Sequence, residues 1–188
     1  MNSEVLKRYD MTVDNKFIIS VSIPNYKAIF QNYDFTASFY KRDLNENLVA
    51  HIFECVEEIG PQNDFLIRFD LPVNQKSASE ENDILFSFRS YFDYLMTLCR
   101  KETKTAFGRL VIHFGIAGIA FLGWLLIIAG FSDNESAFYQ FCTIGLSVGI
   151  WVLLLTGISR FLYRIKSQFA EMKMCNKITS SVVEFNYN

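Results

Sequence analysis

The chain reads as a small cytoplasmic α+β domain, a three- to four-stranded sheet with two helices, carried on a two-helix transmembrane hairpin. Three observations predict this. Two apolar runs, residues 110–131 and 138–162, each reach the roughly 20 residues a helix needs to cross about 30 Å of hydrocarbon. Only a short acidic link, residues 132–137, separates them. Ahead of them, the chain switches between period-2 and period-3.6 apolar patterns, the marks of strands and of amphipathic helices.

Charge supplies the orientation. Residues 1–99 hold 9 Lys/Arg against 15 Asp/Glu, a net of −6. Arg100, Lys101, Lys104 and Arg109 precede the first run against Glu102 alone, and Arg160, at the end of the second run, with Arg164, Lys166, Lys173 and Lys177 after it, stands against Glu171 alone. The link has no Lys or Arg. The positive-inside bias then places both termini in the cytoplasm and the link outside, in the cell (cytoplasmic or inner) membrane. Such juxtamembrane basic clusters are topology signals that also meet anionic headgroups, so membrane lipids are expected partners and nucleic acid is not. Residues 1–10 are polar and lack the apolar core of a signal peptide, so insertion falls to the spans themselves.

The soluble elements follow in order. Tyr9, Met11 and Val13 alternate with polar residues, Asp14–Asn15 suits a turn, and Phe17, Ile19, Val21 and Ile23 alternate again, which predicts a β-hairpin. Pro24 closes it. Tyr26 to Phe30 suits one helical turn, and the aromatic stretch from Tyr33 to Tyr40 a strand or an ordered loop. Asp43 and Glu46 form a capping-box pattern ahead of the stripe Leu48, Ile52, Cys55 and Ile59, and Gly60–Pro61 stops that helix. Phe65, Ile67, Phe69 and Leu71 alternate up to Pro72. A polar loop completes a domain spanning residues 1–79.

A stalk helix is expected over residues 80–109, with Leu85, Phe88, Phe92 and Leu95 as its apolar seam, widened by Ile84, Tyr91 and Leu98. That face has to bury itself on the domain's own sheet or on a partner helix. With no Gly or Pro before Gly108, the stalk should run straight into the first span. Residues 163–188 are expected to extend the second helix and end in a strand that rejoins the sheet.

Few residues suggest chemistry. His113 and Arg160 are the only ionisable groups inside the apolar runs, and each lies about one turn from the cytoplasmic end. There Arg109, His113, Arg160 and Arg164 serve as lipid-interface anchors, with arginine snorkelling to the headgroups. Gly145 and Gly149, with Cys142 and Thr156, form a small-residue face that would pack against Gly115 and Gly118 or serve an oligomer. Trp124 and Trp151 are expected to pack within the hairpin. In the soluble part, His51 sits near Glu54 and Cys55, and Asp34, Arg42 and Asp43 bracket the aromatic stretch. Two histidines, one of them in a span, assemble no catalytic set or metal-ligand set. The four cysteines show no C-x-x-C or metal spacing and suit small buried hydrophobes. Neither a cofactor nor a catalytic activity is expected.

Several short elements resemble a group of functionally uncharacterised bacterial two-pass membrane proteins with an N-terminal cytoplasmic α/β domain. They are Ile29–Phe30–Gln31–Asn32, Asp34, Phe39–Tyr40–Lys41–Arg42–Asp43–Leu44, Phe88–Arg89–Ser90–Tyr91–Phe92, Gly108–Arg109, Trp151 and Phe161–Leu162–Tyr163. Ser38 stands where that group has proline, and no Trp-Pro follows Tyr163. The resemblance implies the architecture and no activity. The expected role is a membrane-anchored scaffold or accessory subunit with a protein partner or self-association; a homo-oligomeric channel or small transporter is the alternative.

Overall fold

A computed structural model describes residues 3–31, 42–130 and 136–188. The aromatic stretch from Tyr33 to Tyr40, with Asp34, therefore lies outside the described residues, as does most of the link. The elements in chain order are α1 (Ser3–Leu6), β1 (Phe17–Ser22), a 3-10 turn (Tyr26–Ile29), α2 (Glu46–Ile59), β2 (Phe65–Leu71), a second 3-10 turn (Val73–Gln75), α3 (Ala78–Gly130), α4 (Ala137–Ser180) and β3 (Val182–Tyr187). They fall into two compact units, Met1–Thr97 with Glu171–Asn188, and Leu98–Ala170.

In the first unit the three strands form one sheet in the order β1-β2-β3. Both ladders are parallel: Phe17 to Ser22 pair with Phe65 to Asp70, and Leu66 to Leu71 pair with Val182 to Tyr187. The expected antiparallel hairpin is corrected here. Residues 9–13 make a single antiparallel bridge, Met11 with Phe17, behind a turn in which Asn15 takes φ 59°. Ahead of the bridge, Tyr9 links this segment to both neighbours: its hydroxyl donates to Glu58 of α2 at 2.6 Å, and its ring meets Phe17 of β1 edge-on. An all-parallel sheet also makes this unit α/β in character rather than α+β.

Parallel neighbours need long crossovers. The β1–β2 crossover contains α2. The β2–β3 crossover contains the whole of α3 and α4, so the apolar hairpin is an insertion within one sheet.

One sheet face is buried under helices. Ile19, Ile67 and Phe69 meet Ile52 and Ile59 of α2, Ile84, Phe88 and Phe92 of α3, and Cys175 and Ile178 of α4, all in one core. Phe88 meets Phe69 edge-on with centroids 6.2 Å apart, and Phe92 meets Phe53 at 5.9 Å. The stalk seam thus buries itself on its own domain. Ile84, Phe88 and Phe92 carry the burial, whereas Leu85 and Leu95 sit half-buried at its margins. The other face pairs polar groups across strands: Arg68 with Glu184 at 3.8 Å, and Asn186 Nδ2 donating to Asp70 at 2.6 Å.

α2 begins two residues later than the Asp43–Glu46 pattern implies. Its cap is Asn45, whose Oδ1 accepts from the Asn47 N–H at 2.9 Å, rather than an Asp43–Glu46 box. An asparagine at the cap satisfies an otherwise orphan donor directly. Gly60 ends the helix at φ 83°, a conformation an L side chain rarely adopts.

Candidate functional site

In the second unit, α3 and α4 meet along a seam of period 3.5. Ala106, His113 and Ala117 of α3, seven and four residues apart, are buried or half-buried, as are Ile150, Gly157 and Phe161 of α4. Such spacing keeps one side of each helix toward the other. Trp124 Nε1–H donates to the Thr143 carbonyl at 3.1 Å, so this tryptophan does pack within the hairpin. Trp151 does not; it is 65% exposed.

Among the glycines of the two helices, Gly157 alone meets the other helix: an added Cβ would stand 3.2 Å from His113 Cβ. At Gly115, Gly118, Gly145 and Gly149 the same test meets open space. Cys142 is exposed and Thr156 half-buried. A side chain at Gly145 or Gly149 would thus meet no atom of α3. The Gly145–Gly149 face lies off the seam, and Gly157, outside the G-x-x-x-G pattern, takes the contact. A heptad reading of α4 through Ile150, Gly157 and Phe161 would have found it.

Beside that contact, Arg109 and His113 of α3 and Arg160 and Arg164 of α4 come together around a notch of about 140 Å³. Ala106, Leu110, Gly157 and Phe161 complete its walls. Both basic pairs, Arg109 with His113 and Arg160 with Arg164, sit at i, i+4, so each lies along one helix face. His113 Nδ1 is 2.8 Å from the Arg109 carbonyl oxygen. A carbonyl only accepts, so Nδ1 carries the hydrogen and Nε2 is left for other partners. All four residues proposed as interface anchors thus share one site.

The first unit has a different opening, a crevice of about 420 Å³ lined by Asn25, Tyr26, Lys27, Phe30, Arg42, Gln75 and Glu80. These residues follow the C-terminal ends of β1 and β2, where open parallel sheets place their ligands. The Arg42 guanidinium lies over the Phe30 ring, 5.7 Å from its centroid. A hydrogen-bonded relay braces this edge. Ser77 N–H donates to the Tyr26 hydroxyl at 3.3 Å, Tyr26 and Tyr187 share a bond of 2.6 Å, and Tyr187 donates to Glu81. Burial first, and then the bond to Glu81, raises the Tyr187 pKa above the ordinary tyrosine value. Of the polar residues expected around the aromatic stretch, Arg42 lines the crevice and Asp43 does not.

Other singled-out groups are local. His51 Nε2 stands 3.7 Å from Cys55 Sγ on the same helix. Cys55, Cys99 and Cys175 are buried, as small hydrophobes would be, whereas Cys142 is exposed. Lys177, one of the basic flank residues, lies in the last turn of α4. Its ammonium donates to the carbonyls of Gly60, Pro61 and Asn63 and lies over the Phe65 ring, tying the end of α4 to the turn after α2.

Comparison with protein families, with curated proteins and with solved structures finds no match. The functional reading accordingly stands on the chain's own residues.

Proposed function

We propose that this is a two-pass integral membrane protein whose cytoplasmic α/β domain acts as a scaffold or accessory subunit and not as an enzyme. The observation that carries the reading is the exposed apolar sleeve of α3 and α4. Both helices are long and apolar enough to cross a membrane, and few of the residues in their most apolar windows are buried. Ile119 is 73% exposed, Leu126 74% and Phe141 75%. At about 25 cal/mol per Å² of apolar surface, water is a poor solvent for such a sleeve, and hydrocarbon a good one.

Topology has independent support in the sheet. β2 precedes the hairpin and β3 follows it, yet the two pair over six residues. Strands of one ladder lie on one side of a membrane, which favours an even number of crossings and termini on the same side. The basic flanks, with no Lys or Arg in the link, favour the cytoplasm for that side.

A binding role suits the crevice at the sheet's C-terminal edge, where cationic, acidic, amide and aromatic groups converge. Alkaline carbonate washing should leave the chain in the membrane pellet, and a reporter fused after Asn188 should stay on the cytoplasmic side. Release into the supernatant would end the anchor reading. An external reporter would end the topology. Co-purification in mild detergent tests the adaptor role, and a lone monomer under several conditions counts against it.

A homo-oligomeric channel or small transporter is the second reading, favoured by the open space at Gly145 and Gly149. It requires a defined oligomer in detergent and ion flux in liposomes, both lost in Gly145→Leu.

A further inference from the structure

We propose that the notch formed by Arg109, His113, Arg160 and Arg164 binds the phosphate of an anionic lipid headgroup. The inference rests on the membrane-spanning reading of α3 and α4 and adds to it a defined, selective site.

Three arginines from two helices line one small opening, and no Asp or Glu lines it. Among the described residues none of the three is ion-paired: the ion pairs there join Arg8 to Glu58 and Arg68 to Glu184. Glu102, the acidic residue of the adjacent basic stretch, accepts instead from Gln168 at 2.8 Å. Like charges held close repel, so a cluster of this kind favours an anion between its members. Arginine's planar fork matches phosphate oxygens two at a time, which the ammonium of lysine does not. The choice of residue follows that chemistry. Lys104 and Lys166 stand in the same basic stretches, and neither lines the notch.

Size and surroundings indicate a headgroup. A space of about 140 Å³ is well below the roughly 300 Å³ where pockets for whole organic ligands begin. It suits a phosphodiester whose remainder lies elsewhere. Leu110 and Phe161 form the apolar walls, and Val111, Phe114 and Leu162 continue outward as exposed apolar surface on which acyl chains can lie. The arginines fall within about one turn of the ends of the apolar runs, the depth of headgroup phosphates. Basic pockets between transmembrane helices at the cytoplasmic side are suited to such headgroups.

Gly157 makes the geometry. Its missing side chain lets α4 approach His113, and the approach brings the two basic edges together.

The test uses the full chain in detergent with equal phosphatidylglycerol and phosphatidylcholine, read by native mass spectrometry of retained lipid. Phosphatidylglycerol should be retained preferentially, at a defined stoichiometry. Arg109→Gln, Arg160→Gln and Arg164→Gln should each lower retention about fivefold, the equivalent of about 1 kcal/mol per cation near the surface. Lys166→Gln should leave it unchanged. Gly157→Leu should lower it with every charge in place. Equal retention of the two lipids overturns the site. So does a loss in Lys166→Gln as large as in Arg160→Gln, which is diffuse attraction. Displacement of the lipid by millimolar inorganic phosphate assigns the notch to a soluble anion and overturns the lipid assignment. Carbonate washing separates the two levels: a chain that stays in the membrane without lipid preference loses only the notch, and a chain that washes out loses the anchor as well.

Discussion

The ring of Phe69 on β2 stacks on that of Phe185 on β3, with centroids 5.8 Å apart and planes 26° from parallel. The entire α3–α4 insertion lies between these two residues in the chain. Their contact joins segments on either side of the insertion, and through Val183, Phe185 and Tyr187 the C-terminal strand packs against the core.

Phe185→Ala should lower the stability of the soluble unit by about 2 kcal/mol, below the range for a fully buried phenylalanine because Phe185 is only half-buried. Deleting residues 182–188 should cost more, since it strips the outer edge of β2 of its hydrogen-bonded partner. Urea titration followed by far-UV circular dichroism in detergent reads both. A deletion that left the midpoint unchanged would contradict the parallel β2–β3 ladder.

Gly157→Leu should destabilise the hairpin by about 1–3 kcal/mol, the range for overpacking, because His113 stands where the new side chain must go. Gly145→Leu should change the monomer's stability by no more than about 0.5 kcal/mol, as open space surrounds it. Thermal unfolding in detergent distinguishes them. Equal losses would mean that the seam runs through both glycines.

Lys177→Met should cost about 1.5–3 kcal/mol, the range for hydrogen bonds to a charged donor, because three carbonyls after α2 lose theirs. Lys173→Met, an exposed neighbour, is the control. Hydrogen exchange should show the loss first in the turn 60–63 and at the end of α4.

Alkali should weaken the soluble unit. Tyr9 and Tyr187 both have raised pKa values, through burial first and then through bonds to neighbouring groups. In the unfolded chain tyrosine ionises near pH 10. Above that value the unfolded state releases protons that the folded state retains, so stability present below about pH 10 is lost as pH rises further. Tyr187→Phe should flatten part of this slope. An unfolding midpoint independent of pH between 9 and about 11 would remove the relay from the account.

Local pattern carried much of this fold. β2 runs from Phe65 to Leu71, and its alternation with a closing proline marks the same bounds. α2 ends at Ile59 because Gly60 takes a conformation open to glycine. The helix from Ala78 continues to Gly130 without the interruption that a proline would cause. Partnerships were less legible. Alternation reveals a strand's buried face but not its neighbour, so Phe17 to Ser22 looked like half of a hairpin when its ladder lies with the distant β2. The cap at Asn45 was masked by an equally good pattern starting two residues earlier. The small-residue face at Gly145 and Gly149 was conspicuous, yet the contact fell on Gly157, because a pair of long helices follows a 3.5-residue repeat and not the most visible motif.

Composition and spacing alone determined that two segments prefer hydrocarbon, that their flanks are basic and their link acidic, and where the central strand begins and ends. These are properties of short stretches, set by transfer free energy and backbone preference one segment at a time. Only the tertiary structure decided that β3 pairs in parallel with β2, that the stalk buries itself on its own sheet, and that four basic side chains from two helices share one notch. Those outcomes depend on which distant surfaces meet, and a linear pattern holds no information on distance between residues far apart in the chain.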